Sequence, residues 1–269
     1  MIDFLLSGDA LLALLTLTFL EVVLGIDNIV FISIAASKLP KEKRAKATNV
    51  GLLLALVQRI ILLFFVSFLT QLEKPFLLVE EGWITFALSW QSVILILGGI
   101  FLLYKSTTEI MEKVDIGGHD EIEEKVKPTI SLQKVLIQII LIDFIFSIDS
   151  ILTAVGMTNG ISPNPNHALV IMIIAVVISM IIMIVFANKI RVFIEKNPSM
   201  QILGLSFLML IGFLLITEGA HLSDTVVFGK SIGAIPKGYL YFAIVFSLGI
   251  EFINIRMRKK NRKVKKELK

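Results

Sequence analysis

Two short stretches carry chemistry that their surroundings should reject. The first is "EVVLGIDNIV", with Glu21, Asp27 and Asn28 inside an apolar run. The second is "DFIFSIDSIL", with Asp143, Asp149 and Ser150 inside another. Each reads as an acid, five residues, an aspartate and a short polar side chain. A charged group at the centre of a membrane helix costs about 2.5–3.5 kcal/mol on lenient insertion scales. Four such acids, left alone, would cost roughly 10 kcal/mol, comparable with the ~5–15 kcal/mol that stabilises a typical domain. They need protons, a buried cationic partner or a bound cation. Arg59, in the second apolar run, is the charge-compensating candidate within the spans. Glu21, Asp27, Asn28, Asp143, Asp149 and Ser150 are the candidate metal ligands. All are hard oxygen donors, which suit Mg²⁺, Ca²⁺ or Mn²⁺ better than Zn²⁺ or Cu⁺. There is no cysteine, and His119, His167 and His221 lie outside the span centres.

Spacing refines the expectation. Six residues of unbroken helix turn about 600°, leaving Glu21 and Asp27 about 120° apart. Gly25 tolerates unusual backbone angles, and Asp27 or Asn28 could cap a new half-helix. Breaks are therefore expected near 25–28 and 147–150, exposing carbonyls to a polar cavity.

The elements that must carry these residues are membrane helices. The 269 residues are 56% hydrophobic with a mean hydropathy of +0.86, above the composition usual for a soluble domain. The apolar residues form seven runs, near 10–36, 47–71, 89–108, 131–157, 168–188, 200–218 and 238–255. Each can span a hydrocarbon core of about 30 Å as a helix. The first run is preceded by Asp3 and Asp9 and by no Lys or Arg, unlike a cleaved signal peptide. The expected fold is an all-α membrane protein of seven transmembrane helices.

Basic residues set the orientation. Of the 26 Lys and Arg, five fall in 38–46, five in 105–134, three in 189–196 and nine from Arg256 onward. The opposite loops hold only Lys74, Lys230 and Lys237. The N-terminus is expected outside and the basic tail 256–269 in the cytoplasm, where it serves orientation with no nucleic-acid role.

The two acidic stretches also align without gaps, 21–36 on 143–158, and "LGGIFLLYK" (97–105) aligns on "LIGFLLITE" (210–218). Gly99 then falls on Gly212 and Lys105 on Glu218. Repeat one, about 10–108, and repeat two, about 131–218, are three spans each, followed by a last helix at about 238–255 in a single transmembrane domain. An odd number of spans makes the second copy enter from the opposite face, the inverted-repeat plan of secondary transporters.

The segments "EVVLGIDN", "LLYKSTTEI", "DFIFSIDSILTAVG", "LIGFLLITEG" and "IPKGYLYFAIVFS" resemble the TerC family of bacterial membrane proteins, over about residues 10–255. The resemblance implies a seven-span inner-membrane protein, grouped with the LysE transporter superfamily, and Mn²⁺ as the exported substrate. It assigns the family's two acidic motifs to Glu21, Asp27, Asp143 and Asp149, with Asn28 and Ser150 beside them. The expected partners are the lipid bilayer and a divalent cation, with no permanently bound cofactor; the oligomeric state is not encoded legibly. The alternative function is a non-transporting membrane component of a tellurium or stress-resistance complex. An intramembrane aspartyl protease also uses two acids, but its Gly-x-Gly-Asp motif is missing at both "LGIDN" and "FSIDS", so no enzyme is expected.

Overall fold

A computed structural model describes residues 2–115, 131–158, 160–162 and 164–267. A one-turn helix α1 (Ile2–Leu5) leads into α2 (Gly8–Ser37), α3 (Lys41–Phe64) and a short α4 (Val66–Leu69). A hairpin of β1 (Pro75–Glu81) and β2 (Ile84–Ser89) follows, then α5 (Trp90–Asp115), α6 (Leu132–Thr158), α7 (Pro165–Lys196) and α8 (Pro198–Leu222). Two-residue strands β3 (Val226–Val227) and β4 (Lys230–Ser231) precede α9 (Lys237–Glu267). Among the described residues, seven helices are long and apolar enough to cross a membrane: α2, α3 and α5 to α9.

Local chemistry sets the helix ends. The Ser7 hydroxyl accepts from the Ala10 amide at the start of α2, and Asn164 caps α7 with Pro165 as its first residue. Ser89 and Ser92 cap α5 reciprocally, each amide donating to the other's hydroxyl at 3.0 and 3.1 Å. The second span is shorter than its apolar run, because α3 stops at Phe64 and the chain turns through Phe65 into α4 and a 3₁₀ turn at Thr70–Glu73.

The bundle is apolar outside and mixed inside. Phe19, Val57, Leu97, Val185 and Phe246 are exposed, whereas Thr48, Ser106 and Ser179 are buried. These buried hydroxyls donate to their own helix, as Ser106 does to the Leu102 carbonyl at 2.7 Å, so each is satisfied without a partner from another span. Small residues set the helix crossings, since lipid supplies no hydrophobic force between spans. On α5 and α8, Gly99 and Gly212 bring backbone against backbone: a Cβ on Gly212 would lie 2.9 Å from the Gly99 carbonyl oxygen. The other main pairings are α2 with α7 and α3 with both α6 and α7.

Both acidic helices are continuous, which corrects the expectation of breaks near 25–28 and 147–150. Gly25 instead serves close approach, for a Cβ there would collide with the Met183 thioether of α7. The helical reading also missed a four-stranded antiparallel sheet, β1-β2-β3-β4. Its strands are short or exposed, and β2 meets β3 from a loop far along the chain, with Thr85 opposite Val226. The Ala87 amide donates to the Ser223 carbonyl at 2.7 Å, tying the hairpin to the end of α8.

Candidate functional site

Helical register decides which acids meet. Asn28 lies seven residues after Glu21, and about 700° of rotation brings it back to the same face. Asp143, Ser147 and Ser150 share a face of α6 by the same i, i+4, i+7 rule. These two faces meet at Arg59 of α3. The Arg59 Nη1 donates to Glu21 Oε2 at 2.5 Å, and its Nη2 and Nε donate to Asp143 Oδ1 at 3.0 and 3.3 Å. Asn28 Nδ2 donates to the same Oδ1 at 3.2 Å, and the Ser147 hydroxyl to Oδ2 at 3.2 Å. Glu21, Asn28, Arg59 and Asp143 are all buried, with Arg59 only 2% exposed. The guanidinium fork thus holds two carboxylates at once, which a point-charge ammonium cannot do as well.

Asp149 lies on another face of α6, about 600° on from Asp143. Its Oδ2 accepts from Lys237 Nζ, the first residue of α9, at 2.6 Å. Ser150 donates to the Ser147 carbonyl at 3.3 Å. The side chain of Asp27 lies outside the described residues, as does His119. His167 stacks on Phe4 at 4.2 Å, and the His221 ring lies 3.3 Å from the Ile232 carbonyl, neither at the acidic network.

One cavity of about 60 Å³ joins the two groups. Asn28 and Arg59 form part of its wall, and Asp149, Ser150, Glu218, Lys237 and Tyr241 add the other polar groups. It sits toward the end of the bundle where α6 and α8 finish and α9 begins. A cavity needs roughly 10–15 Å³ by this measure to hold one water, so the space has room for a few. Around it and behind Arg59, four carboxylates (Glu21, Asp143, Asp149 and Glu218) face two cationic side chains, a formal charge of −2. Among the described residues no three carboxylates or imidazoles stand close enough together to form a metal cage.

The structure therefore brings Glu21, Asn28, Asp143 and Arg59 into one network and sets Asp149 and Ser150 on the adjoining cavity. Sequence reasoning missed Glu218 and Lys237. Glu218 was visible as a lone acid closing an apolar run, and Lys237 as one of three basic residues on the sparsely charged side.

The model of the integral membrane protein TerC family matches residues 6–266. The chain belongs to the TerC family of integral membrane proteins. The UPF0053 inner membrane protein YgdQ of Escherichia coli (strain K12) is 40% identical over 253 residues, covering 94% of this chain and 95% of that one. A UPF0053 protein of Haemophilus influenzae is 39% identical over 259 residues, 96% and 99% of the two chains. The inner membrane protein YoaE of Escherichia coli is 42% identical over 252 residues but is longer, so the match spans 44% of it. No solved structure matches this TerC-family chain.

Proposed function

We propose that the protein moves a hard divalent cation, Mn²⁺, across the bacterial inner membrane by alternating access between two inverted three-helix units, α2, α3, α5 and α6, α7, α8. The observation that carries this reading is a small cavity among membrane helices whose largely apolar wall carries two carboxylates and two cationic side chains, with the buried Glu21 and Asp143 carboxylates behind Arg59 making the surroundings net negative. Asp149, Glu218, Ser150 and Asn28 offer carboxylate, hydroxyl and amide oxygens to one space, a donor set that suits Mg²⁺, Ca²⁺ or Mn²⁺. Size favours an ion over an organic solute, since pockets for such molecules run to roughly 300–1,000 Å³.

Packing supports the two-unit description. Exchanging α2 with α6, α3 with α7 and α5 with α8 turns each main helix pairing into another that exists: α2–α7 becomes α3–α6, and α5–α8 maps onto itself. The self-mapped pair crosses at Gly99 and Gly212, the residues that align between the repeats. With the basic loops inside, the cavity opens toward the outer face. The same acids can carry protons on the return step, which makes exchange of Mn²⁺ for protons the simplest coupling. Mn²⁺ is favoured over Ca²⁺ and Mg²⁺ by the resemblance alone; membership of the LysE superfamily fits the same plan.

The test is Mn²⁺ flux in proteoliposomes with wild type, Asp27→Asn and Asp149→Asn. Reduced flux in both variants is expected; undiminished flux in both sinks this site assignment. If wild type shows neither flux nor thermal protection by Mn²⁺, Ca²⁺ or Mg²⁺, the scaffold role in a resistance complex takes its place.

A further inference from the structure

The two cationic side chains at the site are held very differently. Arg59 is clamped between Glu21 and Asp143 with its side chain 3% exposed, and a guanidinium neither deprotonates nor swings free of such a fork. Lys237 touches Asp149 through one 2.6 Å contact, with 35% of its side chain exposed and 18% of its partner's. Its ammonium is a compact charge on a flexible four-carbon stem. Half-exposed ion pairs of this kind are weak, so this one can be broken by a competitor of higher charge.

Local preference would not place a lysine here. Lys237 is the first residue of α9, where the helix dipole is positive and repels a cation. It also lies on the side of the bundle that holds only three basic loop residues, against the usual charge bias. What offsets both is Asp149, reached across 88 positions of sequence. Lys237 and Asp149 line the same small cavity, along with Glu218, which has no hydrogen-bond or ion-pair partner among the described residues. A divalent ion entering this space meets Asp149 only by displacing the ammonium, since both seek the same carboxylate oxygens and two cations a few ångströms apart repel.

We propose that Lys237 is a tethered competitor for Asp149: it neutralises the carboxylate between transport events, yields it to the arriving divalent cation, and returns to expel that cation. This rests on the transport reading above and names a residue that sets affinity and release at that site. Lys237 acts through Asp149 as a positioning and specificity group; it is not a ligand. A monovalent ion cannot outbid the ammonium in charge, so the device also selects for divalent ions.

The experiment uses the purified full chain, with Mn²⁺ alone as probe. Calorimetric titration of Lys237→Met is expected to show Mn²⁺ bound at least about tenfold more tightly than by wild type, a difference of about 1.4 kcal/mol. Lys237→Arg, which keeps the charge, stays at wild-type affinity or weaker. In proteoliposomes Lys237→Met lowers KM and kcat together, because release is slowed. A second measurement does not depend on that variant folding. Amine-reactive labelling of Lys237, read by mass spectrometry, rises when wild type is given Mn²⁺ and is already high without metal in Asp149→Asn. Wild type that binds Mn²⁺ while Lys237→Met binds no more tightly overturns the competitor role and leaves the transport site standing. Labelling of Lys237 that falls or stays level on adding Mn²⁺ overturns it as well. No Mn²⁺ binding by either protein overturns both readings.

Discussion

Arg59→Met is the most demanding test of the buried network. Methionine keeps the length and apolar stem of the side chain but removes the guanidinium, so Glu21 and Asp143 are left side by side without their counter-charge. Removing one partner of a buried ion pair costs about 3–5 kcal/mol, because the remaining charge stays buried and unpaired. Here one guanidinium serves two carboxylates, each 4% exposed, through three donated hydrogen bonds. The loss should reach the upper end, about 5 kcal/mol; proton uptake by one carboxylate keeps it from going further. For a chain of this size that corresponds to a melting temperature lower by about 10–20 °C. The assay is thermal unfolding in detergent, followed by helix signal and monodispersity at constant pH. The double variants Glu21→Gln/Arg59→Met and Asp143→Asn/Arg59→Met each remove one stranded carboxylate and are expected to recover much of the loss. Arg59→Met that unfolds within about 1 kcal/mol of wild type, with no recovery in either double variant, refutes the network as described; 1 kcal/mol is the scale of an ordinary surface pair.

Two other outcomes follow from the geometry. Gly212→Ala puts a methyl 2.9 Å from the Gly99 carbonyl oxygen and 3.1 Å from the Leu103 amide, backbone atoms that cannot yield; a loss of about 1–3 kcal/mol is expected, read as a reduced monodisperse fraction after extraction. Gly249→Ala, where nothing lies within 4 Å, is the neutral control. The orientation can be read with single cysteines, because the native chain has none: Gly82→Cys in the hairpin should react with an impermeant maleimide on intact cells, and Lys260→Cys only after permeabilisation. The reverse pattern overturns the outward opening of the cavity.

How much of this was legible in advance depends on the range over which each feature is determined. Span number came from apolar run length, a property of about 20 neighbouring residues, and seven helices among the described residues are long and apolar enough to span. The Glu21–Arg59–Asp143 network was foreshadowed by burial alone, since acids that deep require a partner and Arg59 was the nearest candidate in the spans. Its finer content was available too: the seven-residue step from Glu21 to Asn28 fixes a shared face on any straight helix. What misled was Gly25. Glycine permits both an irregular backbone and a close helix approach, and the sequence around it cannot distinguish them. The choice is made by Met183, about 160 residues later, which occupies the space a side chain would need. The sheet was hidden for the same reason, because β2 finds its partner in β3 only after α8 has crossed the bundle.

The same distinction explains why Asp143 and Asp149 take different partners. Asp143 sits about 600° of helix before Asp149, so on the continuous α6 the two carboxylates point to different places. Asp143 turns to Arg59, and Asp149 turns to the cavity and Lys237. Burial then assigns the work. The inner pair carries a fixed, fully satisfied counter-ion, which makes it a permanent source of negative potential behind the cavity wall. The outer carboxylate carries a counter-ion that water can reach. The proposed transport role uses both, since a site of permanently neutralised acids would never attract a cation and one of naked acids would never release it. On this argument Asp143→Asn should weaken Mn²⁺ binding by altering the field without removing a ligand. It should also weaken Ca²⁺ and Mg²⁺ by a similar factor. Asp149→Asn, which removes a donor atom, should change the ratio among the three ions. Equal loss for all three ions in both variants would mean that Asp149, too, acts only through its charge.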